Sequence, residues 1–274
     1  MKKGQITVFV IIGLILVVLV TLFSTFKDQI IEQTNKLELT KGLITSIEAR
    51  KVQSEMADCA KNVAEAGVII MGVQGGYAVL DSRVLHTDKQ TTQDFIPYFG
   101  TLSSYIDENT SYDGTAYSYF EGKNLVPAKK VMGQQLASFV TKNMEICKKR
   151  YTDMDVAYGD VNTLAVVQDE KINLKLDVDV KIKKGNVESG FKSLNTDLPV
   201  RLGTLQNILS ELIKKQIEIG GGQVCLTCIS KTLTTETDVQ VKIYQVGGDV
   251  FFSLTDKKSK IGDYDYTFVS ANKF

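Results

Sequence analysis

The sequence INLKLDVDVKI, residues 172–182, alternates apolar and polar side chains without a break. A period of two over that length predicts an antiparallel β-strand with one face in a core and the other in solvent. Lys184-Gly185-Asn186 follows, and glycine beside asparagine is typical of a tight turn. This stretch therefore predicts an antiparallel sheet in the second half of the chain.

The remainder of residues 151–274 predicts a mixture of helix and strand. Leucine and isoleucine recur on one side of residues 200–217, which indicates an amphipathic helix. Two runs of β-branched and aromatic residues, 239–244 and 250–254, flank Gly247-Gly248-Asp249 and predict a hairpin, with a last strand near Tyr266. We therefore expect residues 151–274 to form an α+β domain.

The preceding region, residues 27–150, is predicted to be mainly helical, with a domain boundary near residue 150. Apolar periodicity predicts a helix from residue 28 to 71, bent at Gly42 and sharpest over 54–71, and a second helix over 129–149. A short strand is expected at 77–80 after a glycine pair, and a connection at 151–159.

The N-terminal segment carries no charge between Lys3 and Lys27. Roughly twenty apolar residues at about 1.5 Å each span the hydrocarbon core of a bilayer, and only a helix satisfies its own backbone there. We therefore predict a short leader at residues 1–4 and a transmembrane helix at 5–26. Lys2 and Lys3 lie on the N-terminal side, so the positive-inside rule keeps the N-terminus in the cytoplasm and the rest of the chain outside the cell membrane.

The order Lys2-Lys3-Gly4-Gln5 before this apolar segment resembles an archaeal class III signal, the type found on archaeal pilins and archaellins. In that family a membrane peptidase cuts after the glycine, which implies processing between Gly4 and Gln5. Mature subunits of the family pack their apolar helices into a filament. Many type IV pilins carry glutamate at the fifth mature position, where this chain has Phe9, so the resemblance supports processing more than filament assembly.

A looser resemblance extends over about two thirds of the chain. Residues 2–13, Cys59, Gln74-Gly75-Gly76-Tyr77 and the run from Tyr119 to Pro127 are similar to a group of singly anchored surface proteins of archaea. That resemblance implies a location and an architecture, and it brings no known activity.

The cysteines and the charge balance narrow the function further. Lysine plus arginine equals aspartate plus glutamate at 32 each, so the protein has no net charge that would attract nucleic acid.

Four cysteines outside the membrane predict disulfides: Cys59 and Cys147 could join two helices, and Cys225 and Cys228 could close on each other. Four cysteines allow three pairings, and a redox CxxC or a zinc site is an alternative use of the same residues.

Residues 95–120 are rich in tyrosine among small polar residues, a composition typical of adaptable binding surfaces. We single out Tyr112, Tyr117 and Tyr119 as candidate binding residues for a surface partner or glycan, with local packing as the alternative. Asn109-Thr110-Ser111 is a glycosylation acceptor on the translocated side. The alternating oxygen ligands from Asp107 to Asp113 suggest calcium, but Tyr112 and Ser118 occupy positions where an EF-hand requires glycine and glutamate.

Catalysis has little support in the sequence. His86 is the sole histidine, and no Gly-x-Ser-x-Gly motif accompanies it. We therefore expect no enzyme, no cofactor and no metal. Two hypotheses remain: a surface protein with a pilin-like signal that serves structure, adhesion or assembly into a homo-oligomer or filament, and a singly anchored receptor whose tyrosine-rich loop binds a ligand.

Overall fold

Two β-sheets pack with four α-helices in the computed structural model, which describes residues 47–87, 114–220, 224–233 and 238–274. The helices are α1 (Ile47–Val73), α2 (Lys129–Asn143), α3 (Leu202–Ile219) and α4 (Leu226–Leu233), with a 3₁₀ turn at Met144–Cys147. The strands are β1 (Tyr117–Phe120), β2 (Lys123–Asn124), β3 (Asp155–Val167), β4 (Ile172–Lys184), β5 (Val187–Leu198), β6 (Val239–Val246), β7 (Asp249–Ile261) and β8 (Tyr264–Lys273). The described part of the chain is thus α+β, as the sequence predicts.

The first sheet is an antiparallel meander in the order β3-β4-β5. Strand β4 buries every second side chain from Ile172 to Ile182, which confirms the predicted half-buried strand. Gly185 makes the turn into β5 with φ of +60°, a conformation that favours glycine. The inner face packs against α1 and α2, whereas the outer face of β4 presents Lys175, Asp177, Asp179 and Lys181.

The second sheet has the order β2-β1-β8-β7-β6. Strands β6 and β7 form the predicted hairpin, and β8 includes Tyr266. Strand β1 pairs with β8 in parallel, so this sheet is mixed and not purely antiparallel as expected.

Residues of both expected halves contribute to one hydrophobic core, which joins α1, α2, α3 and the inner faces of the two sheets. Residues 47–274 accordingly form one compact unit. Helix α2 comes so close to β3 that a Cβ on Gly133 would lie 2.5 Å from the carbonyl oxygen of Ala165. On the other sheet, the buried hydroxyl of Tyr266 donates to the carbonyl oxygen of Val68 at 3.1 Å. The absence of a side chain at Gly133 therefore lets α2 approach β3, and the Tyr266 hydroxyl holds β8 next to α1.

Three predictions differ from the structure: the strand at 77–80, the connection at 151–159 and the end of the helix at 129–149. Residues 77–80 form bends and no strand, because the Gln74 side-chain amide donates to the carbonyls of Tyr77 and Ala78 at 3.4 Å each. The expected connection at 151–159 contains the start of β3 at Asp155, whose first residues pair with the end of β4. The helix predicted for 129–149 ends at Asn143 and continues as the 3₁₀ turn.

The N-terminal predictions concern residues that lie outside the described ranges. They are the leader at 1–4, the transmembrane helix at 5–26 and the helix from residue 28 to 46. Among the described helices, none combines the length and the apolar character that crossing a bilayer requires.

Candidate functional site

A polar groove lies on one face of the second sheet, over strands β6, β7 and β8. Gln240, Lys242 and Tyr244 of β6 alternate along the strand, so their side chains share a face. In register they stand opposite Thr255, Ser253 and Phe251 of β7. The cavity has a volume of about 330 Å³, within the usual range for small-ligand sites of about 300–1,000 Å³. We call it the β6–β8 groove, and its lining residues are Gln240, Lys242, Tyr244, Ser253, Thr255, Lys260, Asp263, Tyr264, Asp265 and Thr267.

The floor of the β6–β8 groove consists of hydroxyl groups. Ser253 and Thr267 are almost fully buried as residues, and both line the cavity. The hydroxyls of Thr255 and Thr267 lie 3.0 Å apart and hydrogen-bond to each other across the strands. A hydroxyl both donates and accepts, so this floor can match either kind of polar group on a ligand.

The rim supplies charges and aromatic rings. Lys260 and Asp265 form an ion pair with 2.8 Å between Nζ and Oδ1. Lys242 and Asp263 make no ion pair within the described part of the chain, so both charges are available to a ligand. Tyr264 is 42% exposed, and Tyr244 is partly buried at the edge of the sheet. Phenol rings beside mixed donors and acceptors suit a hydroxyl-rich ligand, whose apolar faces pack on rings while its hydroxyls hydrogen-bond.

A buried ion pair supports the end of the groove. Strand β7 shifts register against β8 between Asp256 and Lys260. Arg201 binds the Asp256 carboxylate with two hydrogen bonds, of 3.0 Å from Nε and 2.6 Å from Nη2, and Ser259 donates to the same carboxylate. A bulge of this kind bends the strand. The bend leads into Lys260 and Asp263, which form one side of the groove.

The surroundings of Asp256 keep it charged. Burial alone would raise the pKa of Asp256, but the hydrogen bonds from Arg201 and Ser259 and from the Lys258 N–H outweigh it. The pKa of Asp256 is therefore held below its ordinary value. Because the network also contains the Arg201 N–H, which donates to Ser259 Oγ at 2.8 Å, it fixes the start of α3 to the bulge.

The cysteines form two disulfides, in one of the three pairings that the sequence allows. Cys59 of α1 is bonded to Cys147 of the 3₁₀ turn, with 5.7 Å between their Cα atoms. Cys225 is bonded to Cys228 at the start of α4, with a Cα separation of 5.2 Å. No cysteine is free.

A polar contact accompanies the disulfide between the helices. One turn before Cys59, Glu55 accepts a hydrogen bond from the Tyr151 hydroxyl at 3.0 Å and pairs with Lys149 at 3.3 Å. The Tyr151 hydrogen bond is the main cause that lowers the pKa of Glu55. The link between α1 and the end of the 3₁₀ turn is thus both covalent and ionic.

The structure gives two of the candidate binding tyrosines a packing role. Tyr117 and Tyr119 lie in β1 and are 9% and 6% exposed. The Tyr117 hydroxyl donates to Asp249 Oδ2 at 2.9 Å, and the Tyr119 ring packs 5.0 Å from that of Phe274. Neither ring offers its face to a ligand. Tyr112, Asn109, Gly4 and Gln5 lie outside the described residues.

The groove residues were missed because they are scattered along the sequence. Gln240, Lys242 and Tyr244 do alternate with Val239, Val241 and Ile243, and that period of two could have indicated a polar face on β6. His86 is exposed and forms no part of the groove. Within the described ranges, no group of three metal-binding side chains occurs.

Comparison of the chain with protein-family models, with curated proteins and with solved structures gave no match. The function is therefore inferred from the sequence of the N-terminal segment and from the geometry of the groove and the disulfides.

Proposed function

We propose that this protein is a membrane-anchored cell-surface protein whose folded part serves adhesion. Residues 5–26 hold it in the cell membrane with the N-terminus in the cytoplasm, and the β6–β8 groove binds a hydroxyl-rich surface ligand such as a glycan. The observation that carries the binding role is the groove itself, with hydroxyls on its floor and Lys242, Asp263 and Tyr264 on its rim.

The disulfides support the proposed location. Such bonds persist in oxidising compartments outside the cytoplasm, and both of them lie in the part of the chain that follows the apolar segment. The proposed anchor, in turn, supports a role at a surface, because Lys2 and Lys3 on its N-terminal side orient the folded part outward.

Binding by full-length protein in mild detergent to an array of immobilised neutral and acidic oligosaccharides tests the proposal. Tyr264→Ala and Lys242→Ala should each weaken binding about tenfold or more, because they remove a ring face and a charge from the groove. Lys175→Ala on the outer face of the first sheet is the matched control and should bind as the wild type does. Binding that survives both groove substitutions would remove the groove from the proposal.

Assembly into a filament or homo-oligomer through the N-terminal helix is a second candidate function. It is favoured by Lys2-Lys3-Gly4-Gln5, the residues that resemble a class III signal. Mass spectrometry of the N-terminus of protein extracted from its native membrane distinguishes the two. A chain that starts at Gln5 would support the pilin-like route, whereas one that starts at Met1 would leave an uncleaved anchor.

A further inference from the structure

Cys225 occupies the N-cap position of α4. Its carbonyl oxygen accepts the N–H groups of Cys228 at 3.1 Å and Ile229 at 3.3 Å, which are the first bonds of the helix. Its Sγ accepts a hydrogen bond from the Cys228 N–H at 3.1 Å. The sulfur therefore takes the place of the side-chain oxygen that usually caps a helix by binding the N–H three residues later.

This position stabilises a negative charge on Cys225. Once the disulfide opens, a thiolate at the N-cap keeps the Cys228 N–H as a donor and faces the positive end of the helix dipole. The first turn of α4 has no acidic residue that would neutralise that end. The Thr227 hydroxyl, 3.4 Å from Cys225 Sγ, is a further polar neighbour.

The two sulfurs differ in their access to solvent. Cys225 is partly exposed, whereas Cys228 is 7% exposed and packs below it. A thiolate from outside therefore reaches Cys225 first, and which sulfur is attacked is one of the factors that decide exchange rates. A partly exposed N-terminal cysteine paired with a buried second cysteine suits exchange through a mixed disulfide.

An apolar surface adjoins the disulfide. Gln216, in the last turn of α3, accepts the Cys225 N–H at 2.9 Å and so brings that turn beside Cys225. Ile219 of the same turn and Leu226 of α4 are 62% and 65% exposed. Ile219 lies in the turn that Gln216 brings beside Cys225, and Leu226 follows Cys225 in the chain; exposed apolar side chains there suit contact with a polypeptide more than with a small polar thiol.

We infer that Cys225–Cys228 is a redox-active disulfide that exchanges with paired thiols of polypeptides outside the membrane. A partner thiolate attacks Cys225 Sγ, the Cys225–Cys228 bond breaks, and the electron pair leaves on Cys228 Sγ, which takes a proton. A second thiolate of the partner then attacks the partner's own sulfur in the mixed disulfide and releases Cys225 as a thiolate. The partner loses two electrons and two protons and becomes a disulfide; the protein keeps both electrons as a Cys228 thiol and a Cys225 thiolate, and the second proton goes to solvent. A small-molecule disulfide of the surroundings serves as the oxidant that closes the pair again.

The other disulfide lacks the N-cap contact and is an internal reference. Cys59 lies in the interior of α1 and is partly exposed, as Cys225 is, and Cys147 is buried. In the part of the chain that the structure describes, neither of these sulfurs accepts a hydrogen bond from an N–H group. Cys59–Cys147 is thus expected to stay closed under conditions that open Cys225–Cys228.

Graded reduction of the oxidised full-length protein with reduced and oxidised glutathione, followed by alkylation and peptide mass spectrometry, tests this. Cys225 and Cys228 should become alkylated at a glutathione ratio that leaves Cys59 and Cys147 protected. A peptide probe with two cysteines should be oxidised by the wild-type protein in stoichiometric amount, and left reduced by the Cys225→Ser/Cys228→Ser variant. All four cysteines opening together, or an unoxidised probe, would overturn the inference.

Single variants test the order of attack. With Cys228→Ser, Cys225 should form a mixed disulfide with oxidised glutathione about tenfold faster than Cys228 does in the Cys225→Ser variant. Circular dichroism of both variants, compared with the wild-type spectrum, reports that the fold is retained. Equal rates in two folded variants would contradict the assigned roles of the two sulfurs.

Discussion

The disulfide between Cys59 and Cys147 joins residues 88 positions apart, whereas that between Cys225 and Cys228 closes a loop across three. The first connects α1 to the 3₁₀ turn after α2, beside the Glu55 contacts. The second caps α4 and connects no distant parts of the chain. Sequence separation determines how much a disulfide restricts the unfolded chain, and local donors and access determine how readily it exchanges. The two disulfides of this chain therefore have different roles: one stabilises the fold, and the other is the one we infer to exchange.

The largest expected effect is the loss of the long-range disulfide. Replacing both Cys59 and Cys147 with alanine should lower the free energy of unfolding by about 4–5 kcal/mol, because a loop of this length loses much entropy when it is closed. Urea unfolding of full-length protein in mild detergent, followed by circular dichroism, measures this. A loss below about 1 kcal/mol would show that the two disulfides do not differ as we expect.

The next largest effect on stability is expected from breaking the buried ion pair at the start of α3, the end of that helix that lies away from Cys225. Arg201→Leu should cost about 3–5 kcal/mol, since it leaves the fully buried Asp256 charge without its partner. Lys171→Leu is a matched control, because it breaks a 2.7 Å ion pair with Asp197 that is exposed on both sides and should cost under about 1 kcal/mol. Equal costs in the two variants would count against a structural role for the buried pair.

The ion pair between Arg201 and Asp256 also makes the stability of the fold decrease as the pH falls. The pKa of Asp256 is lowered in the folded state, so its contribution is present above the ordinary carboxyl pKa and is lost as the pH falls through the folded-state value. Wild-type protein should therefore lose stability below about pH 4, and Asp256→Asn should lose less over that range although it starts less stable. Unfolding midpoints from pH 7 to pH 3 provide the comparison.

The smallest effect on stability is expected for the exchangeable pair. In the wild type the Cys225–Cys228 bond closes no long loop. Replacing both cysteines with serine (Cys225→Ser with Cys228→Ser) should therefore lower the free energy of unfolding by at most about 2 kcal/mol. The same urea measurement applies. A cost equal to that of losing Cys59–Cys147 would indicate that α4 is needed for the whole fold, and the contrast between a structural and a reactive disulfide would weaken.

The sequence predicted those elements whose pattern is complete over their length. Strand β4 was predicted because its alternation runs from Ile172 to Ile182, and α3 because one face is continuously apolar. The start of β3 was missed because its first residues are only half buried and its alternation is broken by the register shift between Tyr158 and Val161. The bends at 77–80 depend on the Gln74 side chain, which binds two carbonyls that a strand would have paired.

The candidate site was harder to predict, because it exists only through register. Lys242 and Ser253 come together since β6 and β7 pair residue by residue, and Thr267 joins them from β8. No local pattern connects these residues. The tyrosine-rich composition, in contrast, drew attention to Tyr117 and Tyr119, whose rings were needed to fill the space beside Asp249 and Phe274. Composition identifies large side chains, and burial decides what they do.

The charged outer face of β4 has a consequence for neighbouring copies of the protein. Among the described residues, β3 and β5 are the edge strands of the first sheet, and edge strands of a flat apolar sheet favour pairing between molecules. Lys175 and Lys181 lie near Asp177 and Asp179 on that face, at 3.3 and 3.7 Å, and all four remain hydrated. Stacking would strip this water from every one of them, at a cost that their attraction does not recover. The charged outer face of β4 therefore disfavours face-to-face stacking of copies through the first sheet.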